Sequence, residues 1–382
     1  VTGPVVVAAA RTPLGTAGRS LAGCTAADLG AAVLREVAAR AAALGAPPPD
    51  EVVLGNCMGP GGDVARVASL QAGLGAAVPA LTVDRQCASG LAAVTTADAL
   101  LRTRGGTVLA GGVESASTAP WRFWPPSVPG AEPVRYERAP FAPAELGDPD
   151  MGLANDLYAE EHEVSRAAQD EHAARSHARA HATSVAGGFD PEIVPIAGVT
   201  TDDRPRPGLT VDRLARLRPA FREGGTVTAG NSCGVNDGAA VVALVDAATH
   251  ERLGSPGLRV VASATAGCDP TRPGEGLVPA ARLALDRAGL SLDDVDVVEL
   301  NEAFAGQVLA CCAQLGLDPA RVCPEGGALG LGHPWGASGA VLVVRLFTQL
   351  VLRGRGRHGL AAISAGGGQG VAVVVEAVGV AG

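Results

Sequence analysis

Four stretches of the chain carry residue types that can make and break covalent bonds. The first, Asp84-Arg85-Gln86-Cys87-Ala88-Ser89-Gly90-Leu91, sets a cysteine between an expected strand and an expected helix. A thiol at a helix N-terminus feels the positive end of the macrodipole, which lowers its pKa and favours the nucleophilic thiolate. The small residues after it let the helix pack closely beneath a substrate. The same octet also suits a core cysteine at a turn. The second stretch, Gly326-Gly327-Ala328-Leu329-Gly330-Leu331-Gly332-His333-Pro334, sets a histidine among glycines just before a helix. Histidine is the usual general acid or base near neutral pH, and glycine lets backbone approach a ligand closely. Third, Asn301-Glu302-Ala303-Phe304-Ala305 directly follows an expected strand. Asn301 can cap a helix there, or donate, itself or through a held water, to a developing oxyanion. Fourth, Ser364-Ala365-Gly366-Gly367-Gly368-Gln369-Gly370 offers consecutive backbone N–H groups to an oxyanion, or is only a glycine-rich turn.

Short β-branched runs alternating with alanine-rich helical stretches predict an α/β protein to position these groups. Strands are expected over residues 5–9, 51–54, 80–83, 107–111, 239–245, 258–265, 295–300, 361–364 and 371–377. Helices are expected over 26–43, 89–102, 165–182, 279–288 and 338–352. The two ends echo each other. Ala88-Ser89-Gly90 and Ala337-Ser338-Gly339 each open a helix that is followed by a loop, a strand and a glycine cluster, which predicts a duplicated unit. The middle differs. Residues 118–149 are proline-rich and hold Trp121, Phe123, Trp124, Tyr136 and Phe141, the mark of a functional insertion or of a disordered stretch. The expected division is 1–117 for the first part of an N-terminal half, 118–224 for an inserted loop domain, 225–253 for the return, and 254–382 for a C-terminal half.

Composition removes several function classes. A formal charge of −9 and a pI near 5.3 leave no basic face for a nucleic acid. All 30 basic residues are arginine, so Schiff-base lysine chemistry, pyridoxal phosphate on a lysine and a P-loop are excluded. No unbroken apolar run reaches 18 residues, so no membrane-crossing helix is expected. The apolar residues 1–10 have no basic segment before them and read as a buried first strand, not a signal peptide. Eight cysteines without a C-x-x-C pair suit a reduced cytoplasm and small buried thiols. His172, His177 and His181 share one helix, and the last two are spaced to hold a metal. With no acidic or cysteine partner to complete the set, a solvated helix face and no metal are expected.

Taken together, in this order and spacing, the four motifs resemble the thiolase family. The likeness extends through Met151-Gly152, Ser165-Arg166-Ala167-Ala168-Gln169-Asp170-Glu171, Phe189-Asp190-Pro191-Glu192-Ile193-Val194-Pro195, Thr226-Val227-Thr228-Ala229-Gly230-Asn231 and Asn236-Asp237-Gly238-Ala239-Ala240, and lapses only over 121–149. The resemblance implies two duplicated βαβαβαββ halves in a five-layered αβαβα arrangement, with a loop domain over a coenzyme A site. It implies that Cys87 is acylated and that His333 activates it. His333 with an Asn301-held water would form one oxyanion hole, and the Cys87 and Gly367 amides a second. Coenzyme A and acyl-CoA enter as substrates, with no permanently bound cofactor. The pantetheine arm is expected along Met151, Ala229, Gly230 and Cys233, with Arg122, Arg135, Arg138, Arg213 and Arg216 as candidates for the phosphates. Family members are dimers or tetramers, so a homodimer or homotetramer is expected.

The chain also departs from the family pattern. The final motif begins with Ser364, where the family has a second cysteine that moves a proton at the α-carbon during carbon–carbon chemistry. A serine hydroxyl is a far weaker acid than a thiol and a poor base. Cys233 stands where serine is usual, and Asp150 precedes Met151 where histidine is common. Trp335 is bulkier than the usual aliphatic residue and reads as core packing in preference to the wall of an unusual acyl pocket. Three functions fit: Claisen condensation or thiolytic cleavage of a 3-ketoacyl-CoA; acyl transfer from Cys87 to another nucleophile without carbon–carbon chemistry; and a weakly active scaffold subunit.

Overall fold

A computed structural model describes residues 3–380, so the first two and last two residues of the expected halves lie outside it. In the first half an apolar run makes β1 (Val5–Arg11), followed by the short β2 (Gly15–Thr16). Helix α1 (Ala26–Ala43) starts at a capping box in which Thr25 and Asp28 satisfy each other's backbone N–H groups. Then come β3 (Glu51–Gly55), α2 (Val64–Gln71), β4 (Ala80–Val83), α3 (Ser89–Arg104) and β5 (Thr107–Ser115). The excursion holds a hairpin of β6 (Arg122–Trp124) and β7 (Val134–Tyr136), then α4 (Met151–Glu161), α5 (Arg166–Val185) and α6 (Val211–Leu214). The chain returns as β8 (Asn236–Val245) and α7 (Ala247–Leu253). The second half runs β9 (Gly257–Gly267), α8 (Leu277–Ala288), β10 (Val297–Leu300), α9 (Ala305–Leu315), α10 (Ala328–Leu331), α11 (Trp335–Leu346), β11 (His358–Ala365) and β12 (Gln369–Val378).

The duplication expected from the paired Ala-Ser-Gly motifs is visible in the strand order. One half reads β4-β3-β5-β8-β1 and the other β9-β12-β11-β10 outward from a short antiparallel join, Val5 to Arg259 and Val6 to Leu258. The counterpart of β4 is reduced to a single parallel bridge between Val298 and Val322. Strands β5 and β8 are buried along their whole length, because helices cover both faces, and their near-continuous Val/Ala/Gly runs follow from that.

Helices α3 and α11 pack against each other between the halves, and the paired glycines make this possible. A Cβ on Gly90 would lie 2.8 Å from Gly336 O, and one on Gly339 would lie 2.5 Å from Leu91 N. The small residues after Cys87 therefore serve helix–helix approach, not packing beneath a substrate. Beyond α11 the helix continues through Phe347–Leu352 in wider π-type turns. The combined segment Trp335–Leu352 is long and apolar enough to cross a membrane by length and composition, although Ser338 and Arg345 interrupt its apolar run. It is 89% buried inside the protein, the environment of a core helix.

Helix α5 corrects the expected solvated histidine face. His172 and His177 are buried, and His172 Nε2 lies 2.8 Å from Glu302 Oε1. Burial, with Arg204 and Arg206 adding to it, pushes His177 down to about 4. The cause is tertiary: α5 is covered by α9 and α10, so its polar face meets the Asn301–Ala305 segment instead of water. No metal-holding group of three or more His, Cys, Asp or Glu side chains occurs among the described residues.

Candidate active site

Cys87 sits in the turn between β4 and α3, one residue before the helix cap Ala88, which offers no side-chain cap. The turn is held from within. Ser89 Oγ accepts from the Arg85 N–H at 2.8 Å and donates to Gln86 O at 2.6 Å, while Gln86 takes φ +47°. The thiol opens on a cavity of about 310 Å³ lined by all three parts of the chain. The first half supplies Cys57, Met58 and Gln86, and the excursion supplies Phe141, Asp150, Met151 and Phe221. Cys233, Val235, Phe304, Trp335 and Gly366 complete the wall.

Burial pushes the Cys87 thiol up to about 12, and nearby Cys233 and Glu114 push it in the same direction. The N–H groups of Cys87 itself and of Gly366 point at the sulfur and favour the anion, but they do not offset the burial. The depressed pKa expected from the helix terminus is therefore reversed. Alkylation of Cys87 by iodoacetamide should rise about tenfold per pH unit between about pH 7 and pH 10, because the thiolate fraction keeps growing over that range. A plateau below about pH 9 in a Cys87-resolved mass measurement would contradict this environment.

His333 enters from the loop before α11. Its N–H donates to Asn236 Oδ1 at 3.0 Å, and Nδ1 lies 2.6 Å from Ser338 Oγ. Its Nε2 is buried without a hydrogen-bond partner. Burial lowers the imidazole to about 4, so the ring is neutral at physiological pH. Ser338 was not singled out as a site residue, although its place in the repeated Ala-Ser-Gly motif was a usable signal. Its duplicate Ser89 braces the Cys87 turn, whereas Ser338 orients the histidine.

Asn301 follows β10, with its N–H donating to Ala362 O at 3.0 Å. It does not cap α9, whose cap is Phe304. It lines a second, narrow cavity with Gly327, Gly332 and Ser338, beside the His333 loop, and not the wall of the Cys87 cavity. At the β11–β12 turn, Gly366, and not Gly367, presents its amide to Cys87. The reason is turn geometry: Ala365 pairs with Gln369, and Gly367 and Gly368 take φ +80° and +74° to close the turn. A Cβ on Gly366 would strike the Phe141 ring at 2.6 Å, so the excursion packs directly on this turn.

Ser364 is tied away from the cavity. Its hydroxyl donates to Gly274 O at 2.7 Å and accepts from the Leu277 N–H at 2.9 Å. Met151, with Asp150 capping α4, and Cys233 line the Cys87 cavity, but exposed Ala229 and half-buried Gly230, the latter against Leu214 and Leu217, do not. Trp335 lines the cavity too, which reverses the core-packing expectation. Among the candidate arginines, Arg138 is bound to Asp148, Arg135 lies over Trp121, and Arg122 donates to Cys57 O. Arg213 and Arg216 are exposed and make no ion pair among the described residues.

A half-buried thiol beside amide donors, with a neutral imidazole whose free nitrogen lacks a partner, has the parts of an enzyme that carries acyl groups on cysteine. Family descriptions for the thiolase N-terminal and C-terminal domains match residues 4–248 and 255–377. The chain is 43% identical to an acetyl-CoA acetyltransferase of Pseudomonas aeruginosa, covering 97% of this chain and 98% of that one. It is also 43% identical to the beta-ketothiolase BktB of Cupriavidus necator, over the same shares. Human mitochondrial 3-ketoacyl-CoA thiolase, solved in complex with CoA, superposes with a TM-score of 0.91 at 35% identity, over 99% of this chain and 98% of that one. The chain belongs to the thiolase family and is an acyltransferase.

Proposed function

We propose that the protein makes or breaks the carbon–carbon bond of a 3-ketoacyl-CoA through an acyl thioester on Cys87. The observation that carries this is the meeting of Cys87, from the first half, with the Gly366 amide, from the second, in one apolar-walled cavity. In acylation the Cys87 sulfur attacks the substrate thioester carbonyl while its proton passes to His333 Nε2. A neutral thiol and a neutral imidazole suit this concerted transfer, since neither group starts charged in a largely apolar site. The carbonyl oxygen gains negative charge and meets the Cys87 and Gly366 amides, and the coenzyme A thiolate leaves with the proton from His333. Asn301, behind the His333 loop, holds the water that completes the second oxyanion site. The pantetheine arm runs past Met151, Asp150 and Cys233, and exposed Arg216, with Arg213 held by one bond to Gly208 O, meets the phosphates. Aromatic Phe141 and Trp335 narrow the acyl end. A homodimer or homotetramer in the cytoplasm belongs to the same reading.

Acyl transfer to another nucleophile without carbon–carbon chemistry is the second reading, favoured by the engagement of the Ser364 hydroxyl with Gly274 and Leu277. Incubation with acetyl-CoA and longer acyl-CoAs, followed by intact mass, should show one acyl adduct on Cys87. No adduct with any thioester would remove both readings and leave a scaffold role. Cleavage of 3-ketoacyl-CoA by the native protein supports the first reading; cleavage only after Ser364→Cys supports the second.

A further inference from the structure

We infer that Cys233 takes the place of the missing second cysteine, serving as the acid and base at the substrate α-carbon; this rests on the carbon–carbon reading above. Cys233 lines the Cys87 cavity, and Ser364 does not. The Ser364 hydroxyl gives its proton to Gly274 O and also accepts from Leu277 N–H, with Gln307 Nε2 at 3.5 Å, so it is held as a structural strut at the start of α8.

The Cys233 turn is rigid and stands over a buried cation. The Cys233 N–H donates to Ala303 O at 2.9 Å, and Ser232 bridges Phe304. Beneath them runs Arg204, whose Nη2 donates to Ser232 O and whose Nε donates to Leu329 O, both at 3.0 Å. A Cβ on Gly234 would strike its guanidinium. Arg204 is buried and makes no salt bridge to a carboxylate among the described residues. A cation so placed is stabilised by an anion nearby, and the Cys233 thiol, next to the Ser232 carbonyl that Arg204 holds, is a cavity group on which it acts. Burial raises the Cys233 thiol to about 12, while Arg204 pulls it back toward ionisation.

The third cavity thiol lacks these features. Cys57 Sγ donates to Gln86 O at 3.0 Å, and its N–H, with that of Met58, is bound to the buried carboxylate of Glu114, which disfavours a thiolate there.

The step balances without an outside reagent. With an acyl group on Cys87, the Cys233 thiolate removes an α-proton from a second acyl-CoA. The resulting enolate carbon attacks the Cys87 thioester, forming the carbon–carbon bond and breaking the carbon–sulfur bond. Cys87 leaves as a thiolate and receives the proton that Cys233 took. Thiolysis is the same sequence reversed.

Exchange of the α-protons of acetyl-CoA in D2O, followed by mass spectrometry, reads this group without requiring net turnover. Cys233→Ser and Cys233→Ala should each lower exchange at least about 100-fold more than they lower Cys87 acylation. Ser364→Ala, which removes only the hydroxyl outside the cavity, should leave exchange within a few-fold of the native rate. Exchange that is absent in the native protein, or that falls no further than acylation in both variants, overturns the assignment. Failure of the carbon–carbon reading shows separately, as exchange and acylation without any 3-ketoacyl-CoA formed or cleaved.

Discussion

His333→Ala slows acylation of Cys87 by about 10²–10⁴-fold, the usual size of lost general acid–base help. His333 Nε2 is buried and has no hydrogen-bond partner. A buried ring nitrogen without a hydrogen bond is costly, and a native fold retains one where a substrate or a transferring proton completes it. Ser338 holds the other nitrogen, and through it the tautomer. When Nδ1 carries the proton and donates to Ser338 Oγ, Nε2 presents a lone pair and acts as a base. Once that lone pair has taken the Cys87 proton, the same atom becomes a donor to an oxyanion. Burial keeps the ring neutral down to about pH 4, so the acid limb of the acylation profile should fall near pH 4, below the ordinary histidine range. Single-turnover acylation by acetyl-CoA from about pH 4 to pH 9, with the melting temperature as a folding control, checks both points. A variant that acylates at the native rate, or a native acid limb near pH 6.5, would remove His333 as the base.

Arg345→Met destabilises the fold by about 3–5 kcal/mol, because it leaves buried carboxylates short of a partner. Arg345 projects from α11 and is 1% exposed. It bonds Glu192 and Glu325, and its guanidinium lies 4.7 Å from the centroid of the Phe189 ring. Arg11, from β1, bonds Glu192 and Asp202, each at 2.7 Å, and lies over the same ring. This network ties both halves to the excursion that walls the active site. Burial pushes the Glu192 carboxyl up, but Arg345 and Arg11 outweigh it and hold the group below the ordinary glutamate range. A carboxylate depressed in this way contributes stability that is complete above its unfolded pKa and is lost as pH falls through its lower folded value. The difference between native protein and variant should therefore be full at pH 7 and shrink only below about pH 4. Urea midpoints at several pH values measure it. A shift under about 1 kcal/mol at pH 7 would show that Arg11, with Arg353 and Arg355 on Glu325, compensates for the loss.

Strand and helix types were legible wherever the apolar period was strong. Residues 80–83 and 26–43 match β4 and α1 in both bounds, because each is flanked by clear turn or capping residues. Helix α11 begins earlier than periodicity indicated, at Trp335, since a mostly apolar, buried helix shows little periodic contrast. The histidines of α5 were misjudged for a related reason: a polar face marks solvent only when no other element covers it.

Sequence alone was sufficient for the thiolase family and for proposing Cys87, His333 and Asn301 as its working residues, because motif residues and their spacing are local, covalent facts. Tertiary structure alone settled the state of those groups. Only burial shows that the Cys87 thiol is raised and the His333 imidazole lowered, since a pKa responds to surroundings drawn from distant segments. Only turn geometry selects the Gly366 amide among three consecutive glycines, and only packing turns Ser364 toward Gly274 while leaving Cys233 in the cavity.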